Sequence, residues 1–151
     1  MLDKKSLRIL KILQEKARIP NTEVSRLVGL APSAVLERIR KMELQGIIDG
    51  YEVRLNPERF LRNQVAFINV EYDGGFDGDG AIGQALAAIE EIQEVHYIAG
   101  KDSYLVKLRV ADTRELGNVL RDKIITIEGV LSTNTSTVLQ TYKETARISI
   151  R

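Results

Sequence analysis

Two residues, Leu30 and Ala31, are all that separate Gly29 from Pro32. Glycine readily takes the left-handed backbone conformation that ends a helix, and proline is suited to the first turn of the next. Upstream, Val24, Leu27 and Val28 have the spacing of buried positions in a short helix capped by Asn21 or Thr22. Downstream, Val35, Ile39 and Met42 form one apolar stripe of a helix over residues 32–45. A short helix, a glycine turn and a second helix read as a helix-turn-helix unit.

A further helix precedes this pair. Asp3 is placed to cap it, Leu2 to pack back as a staple, and Ile9, Leu10, Ile12 and Leu13 share a face opposite Lys4, Arg8 and Lys11. It ends around residues 14–16. After the third helix, Gly46-Ile47-Ile48-Asp49-Gly50-Tyr51-Glu52-Val53 predicts short strands or a small wing. Residues 54–62 then read as a connector stiffened by Pro57.

Charge divides the chain unevenly. Residues 1–63 carry a net of +5 and residues 64–151 a net of −4, although the whole chain stands at +1. Phosphate backbones attract the first part and repel the second. At about 100° per residue, Ser33, Glu37, Arg40 and Lys41 point away from the apolar stripe of the third helix, with Ala34 and Arg38 on its flanks. Small residues at the start of such a face permit close approach to a major groove. Glu37 can accept from a cytosine amino group, while Arg40 and Lys41 can reach bases or phosphates. Arg38, beside the core stripe, suits a phosphate or an internal carboxylate better than a base edge. A solvated face that binds nothing has the same polarity, so the pattern alone does not separate the two.

The remaining ninety or so residues change period. Over residues 65–72, Ala66, Ile68, Val70 and Tyr72 share one face and Val65, Phe67, Asn69 and Glu71 the other. Residues 81–92 fit a helix with Ile82, Ala85, Leu86 and Ile89 inward. Strands follow at 95–99 and 103–110, around a turn at Gly100-Lys101-Asp102. Asp112 or Thr113 caps a helix using Leu116, Val119 and Leu120, and a last strand runs from Val130 to about Tyr142. Strand-helix-strand-strand-helix-strand is the ferredoxin-like order. The fold class is therefore α+β: an N-terminal winged helix-turn-helix domain with its connector over residues 1–60, and a C-terminal ferredoxin-like βαββαβ domain over residues 61–151. With both helices on one side of the sheet, apolar positions on the other side offer a surface for self-association.

The sequence also excludes functions. There is no cysteine, which removes disulfides, iron–sulfur clusters, thiolate catalysis and thiolate zinc sites, and His96 is the single histidine. The acidic glycine-rich stretch from Asp73 to Gly80 lacks the ligand spacing and terminal glutamate of a calcium loop. Gly74-Gly75 does not lead into a phosphate-cradling motif. No nucleophile stands near a matched base, so neither catalysis, a cofactor nor a metal is expected. No stretch of about eighteen apolar residues exists to span a bilayer, and the N-terminus lacks a secretory apolar core. A cytoplasmic protein without a membrane partner is expected.

Taken in order, several stretches carry a resemblance over nearly the whole length. They are Leu2-Asp3 through Leu13, Ile19-Pro20-Asn21, and Val28-Gly29-Leu30-Ala31-Pro32-Ser33-Ala34-Val35. Arg38-Ile39-Arg40-Lys41-Met42-Glu43, Gly46-Ile47-Ile48 and Gly50-Tyr51 continue it. Ala99-Gly100-Lys101-Asp102-Ser103-Tyr104-Leu105-Val106-Lys107, Gly129-Val130 and Thr133-Asn134-Thr135 complete it. The chain resembles the leucine-responsive regulator/AsnC family of bacterial and archaeal transcription factors. The resemblance implies a regulator that binds double-stranded DNA, forms dimers assembling to tetramers or octamers, and responds to a free amino acid held between dimers. It places Gly100 and Asp102 on the effector's charged main-chain groups, with Tyr97, Thr133 and Thr135 lining the pocket. Read from the residues alone, Asp102 can equally pair with a neighbouring Lys or Arg or cap its own turn, and the two threonines can be ordinary strand residues. Two positions depart from the family pattern: Ser6 stands where a second acid is common, and Ser103, not an acid, precedes Tyr104. An architectural DNA-binding protein without an effector is the alternative, since it would share every DNA-binding feature.

Overall fold

Helix α1 (Lys4–Glu15) begins where the Asp3 carboxylate accepts the Ser6 backbone amide at 2.7 Å. That bond satisfies one of the amides a helix start leaves open. The computed structural model describes residues 2–73, 80–100 and 103–151. Contacts divide the chain into two units: residues up to Arg54 together with Glu144–Arg151, and Leu55–Lys143. This division lies a few residues before the expected 60/61 boundary and sends the C-terminal segment to the helices. The reason is local: Gln14 Nε2 donates to the Ile148 carbonyl at 3.1 Å, and the Ile148 amide donates to Gln14 Oε1 at 2.8 Å. The charge asymmetry survives, at +5 for the helical unit and −4 for the other.

In the helical unit α2 (Asn21–Val28) opens one residue earlier than the sequence suggests. Extended Pro20 takes the cap position, and its carbonyl accepts from the Glu23 and Val24 amides. Gly29, at φ 65° and ψ 52°, closes α2 in the left-handed conformation. Lys5 Nζ donates to its carbonyl at 2.8 Å and ties α1 to the turn. Helix α3 (Pro32–Leu44) follows with proline in its first turn. Ile9, Ile19, Val24, Val28, Val35, Ile39 and Met42 make the core of this unit.

The short strands expected after α3 do not form: residues 46–53 carry turns, bends and irregular backbone. The amides of Ile47 and Ile48 both donate to the Met42 carbonyl, continuing the helix end rather than starting a ladder. An alternating pattern without a neighbouring strand to pair with has nothing to hold it as sheet.

The second unit is one antiparallel sheet in the order β2-β3-β1-β4, built from β1 (Gln64–Tyr72), β2 (Ile92–Ile98), β3 (Ser103–Val110) and β4 (Val130–Thr137). Helices α4 (Ala81–Ala87) and α5 (Thr113–Val119) accompany it in the ferredoxin-like chain order. Ala66, Ile68, Val70 and Tyr72 of β1 and Tyr104, Val106, Leu108 and Val110 of β3 form one core with Ile82, Leu86, Leu116, Val119 and Ile124. Beyond α5 the backbone widens into a π turn (Leu120–Ile124), in which the Ile125 amide reaches back to Leu120. The wider turn brings Ile124, five residues after Val119, to the core and leaves Lys123 outside, bonded to Glu91 at 2.6 Å.

Two element ends differ from expectation. Helix α4 stops at Ala87 rather than near Ile92, because Ile92 is drawn into the sheet opposite Leu108. Strand β4 stops at Thr137 rather than Tyr142. Thr137 is opposite Ala66 and the Val138 amide bonds the Val65 carbonyl, so β1 has almost no backbone left to pair. The other sheet face is mixed rather than wholly apolar. Phe67 is 39% exposed there, and Leu105 and Ile98 share the face with Glu94, which bonds Lys107 at 3.0 Å and His96 at 3.3 Å. Among the described residues, no helix is long and apolar enough to cross a membrane.

Gly83 lies inside α4, where alanine ordinarily adds about 1 kcal/mol of helix stability. A Cβ there would lie 2.9 Å from Tyr104 Cε1. That ring is buried and has the Tyr72 ring 5.7 Å and the Tyr97 ring 5.5 Å from its centre. Gly83→Ala is therefore expected to destabilise the fold, by about 1–3 kcal/mol as overpacking does, in a urea titration. A gain in stability would show instead that Tyr104 yields freely.

Candidate nucleic-acid interface and effector residues

Because Val35, Ile39 and Met42 are buried, the rest of α3 is fixed in azimuth. Ser33, Glu37, Arg40 and Lys41 are exposed, and Ala34 is half-buried beside them. Leu44, two helical turns beyond Glu37, ends the same face at 89% exposure. Leu44 is a residue that the polar and small groups of this face do not point to. Its seven-residue spacing from Glu37 was the available signal. The face thus combines a small start, an acid, two cations and an apolar end, which are the group types used on base edges, thymine methyls and phosphates.

Arg38 departs from this face. Its Nη1 donates to Asp3 Oδ2 at 2.6 Å and to Ser6 Oγ at 2.9 Å, so the guanidinium is turned toward the start of α1. Ser6, in the place of a second acid, thus still supplies an acceptor for this cation. The Ser6 backbone amide, and then Arg38, hold the Asp3 carboxyl well below the usual value of 3.8, at about 2. At the other end of α3, the Tyr51 hydroxyl donates to Glu43 Oε1 at 2.9 Å. Burial, and then the adjacent carboxylate, push the Tyr51 hydroxyl up to about 12.

The expected effector residues lie in the sheet unit. Tyr97 is on β2 and 42% exposed; Gly100, at φ 103°, is in the turn before β3. Asp102 lies outside the described residues, as does most of the acidic stretch, residues 74–79. Thr133 and Thr135 are half-buried on β4, opposite Val70 and Ile68. Tyr97, Tyr104, Val70 and Thr133 form a single rung across the sheet. Three strand spacings therefore separate Tyr97 from Thr133, about 14 Å. One chain brings Tyr97 near Gly100 but does not bring either to the threonines. Ser103, almost fully buried, encloses a hydroxyl with no hydrogen-bond partner among the described residues, a feature nothing in the sequence marked.

Comparison with known proteins covers both units. Residues 2–49 match the winged helix-turn-helix DNA-binding family, and residues 65–148 match the Lrp/AsnC ligand binding domain family. The leucine-responsive regulatory proteins of Klebsiella pneumoniae and Escherichia coli (strain K12) are each 36% identical over 151 residues, covering 99% of this chain and 92% of theirs. Among solved structures, a transcriptional regulator from Neisseria meningitidis in complex with L-Met superposes with a TM-score of 0.92 at 29% identity, covering 99% of this chain and 97% of that one. A feast or famine regulatory protein from M. tuberculosis complexed with L-methionine gives a TM-score of 0.89 at 29% identity, with both chains covered in full.

The depressed Asp3 carboxyl has a consequence for acid stability. A carboxyl lowered on folding contributes stability that is complete above its unfolded value and is lost as pH falls through the folded one. The stability gap between the parent and Asp3→Ser, which keeps a capping oxygen, is expected to be full above 3.8 and to close towards about 2. Thermal unfolding of both proteins across that range measures it; a gap independent of pH would show that the ionised carboxylate adds nothing.

Proposed function

The chain belongs to the Lrp/AsnC family of feast/famine transcriptional regulators, DNA-binding proteins and not enzymes, and on that footing we propose that it reads specific duplex sites through α3 under control of an amino acid. The exposed face of α3, on a unit with a net charge of +5, is the observation that supports the first half most. Ser33 and Ala34 allow the helix start to approach the major groove. Glu37 and Arg40 read base edges, and Lys41 meets phosphate. Leu44 packs on a thymine methyl at the far end of the face. Two such helices, one from each copy of a dimer, enter successive major grooves about 34 Å apart.

The effector is a free amino acid held by Gly100, Asp102 and Tyr97, with Thr133 and Thr135 supplied by another copy. The separation of about 14 Å within one sheet is the reason for assigning the threonines to a neighbour, and the two methionine-bound structural relatives support an amino acid. Dimers associate further through this shared site. Binding at a site made by two copies stabilises the assembly that completes it, and so shifts DNA binding only as far as assemblies differ in affinity.

Selection of duplexes from a random library supplies the test of recognition. Arg40→Ala is expected to lose about tenfold or more on the selected duplex, the scale of one base contact, and little on random duplex. Lys41→Ala is expected to weaken both alike and to reduce the slope of log affinity against log salt by about 0.9 for each lost contact. Parent-like behaviour by both variants would show that this face of α3 does not enter the groove.

Control by an amino acid is checked by titrating the twenty amino acids, leucine and methionine first, while following particle size by light scattering and affinity for the selected duplex. At least one is expected to move both quantities together. Twenty flat titrations would favour an architectural DNA-binding protein instead.

A further inference from the structure

A helix lodged by an apolar stripe alone can still roll and slide by fractions of an ångström, because packing of Val35, Ile39 and Met42 is not directional. A reading helix cannot tolerate that, since base contacts require geometry held to about 0.5 Å and 10–20°. Arg38 is the seventh residue of α3 and lies about 100° round the helix from Ile39. From that flank its Nη1 bonds both the Asp3 carboxylate, at 2.6 Å, and the Ser6 hydroxyl, at 2.9 Å. Its two acceptors are themselves fixed. Asp3 holds the Ser6 amide with its other oxygen at 2.7 Å, and Ser6 is only 6% exposed. The start of α1 therefore offers a half-exposed carboxylate and a buried hydroxyl that together hold α3 off its axis, where a tether resists rotation best.

We infer that Arg38 is a positioning residue for DNA reading: it sets the roll and register of α3 through the Asp3–Ser6 socket and is not itself a phosphate or base contact. This rests on the reading of α3 as the helix in the groove. It makes Asp3, an acid, a determinant of DNA affinity, which is the reverse of what charge alone dictates. Removing a carboxylate from a DNA-binding unit by itself strengthens attraction to phosphates.

The full chain is compared with Asp3→Ser, Arg38→Gln and the double variant on the selected duplex and on random duplex, at several salt concentrations. Serine keeps an oxygen for the α1 cap, so Asp3→Ser removes the ionic half of the tether and spares the helix start. Each single variant is expected to lose about two- to fivefold on the selected duplex, the scale of a partly exposed ion pair. The double variant is expected to lose no more than the worse single, and the salt slopes are expected to equal the parent's. Ser6→Ala, the mildest change and the fallback where another variant fails to fold, is expected to lose a smaller factor at unchanged slope. The inference is overturned if Asp3→Ser binds the selected duplex as tightly as the parent or more tightly. It is equally overturned if Arg38→Gln lowers the slope by about 0.9 per bound helical unit, since that marks a phosphate contact. A parent with no salt-dependent affinity for any duplex would instead overturn the reading of α3 itself, and this inference with it.

Discussion

The left-handed turn at Gly29 governs what the helical unit can present. At φ 65° the backbone reverses quickly enough for the Leu30 amide to bond the Ser25 carbonyl and for the Val35 amide to bond Ala31. A residue with a Cβ is strained at that φ, and a longer connection would let α3 settle at other angles to α2. The two-residue join and the core of Val24, Val28, Val35 and Ile39 leave α3 with one buried side. Its Ser33, Glu37, Arg40 and Lys41 side is then exposed as a consequence. Directional bonds add what apolar packing lacks: Lys5 to the turn carbonyl, Arg38 to the start of α1, and Tyr51 to Glu43 at the end of α3.

In the sheet unit the governing constraint is the cross-strand rung. Pairing places Tyr97, Tyr104, Val70 and Thr133 in line, so a change at one edge of the sheet is three strands away from the other. The rung is occupied in its middle by buried side chains of the core. The packed core therefore separates the two edges within one chain. The open face is mixed, with Phe67, Leu105 and Ile98 beside the Glu94–Lys107 pair.

Periodicity by itself determined most of the architecture. The stripe of Val35, Ile39 and Met42, the alternation of Ala66, Ile68, Val70 and Tyr72, and the order of strands and helices follow from side chains that must share a buried face. Local chemistry determined the punctuation at Asp3, Gly29, Pro32 and Asp112 for the same reason, since each acts on its own few residues. Only the tertiary structure decided where a pattern stops. Ile92 has the right spacing for α4 yet joins β2, β4 ends where β1 has no more backbone to offer, and the alternation of residues 46–53 finds no strand to pair with. The same holds for the site. The outward residues of α3 are legible because one helix defines them, whereas Arg38 meeting Asp3 across 35 positions, Gln14 meeting Ile148 across 134, and the distance from Tyr97 to the threonines depend on how separate elements pack. Sequence spacing encodes direction only within an element. Between elements, direction is set by the core that they bury together.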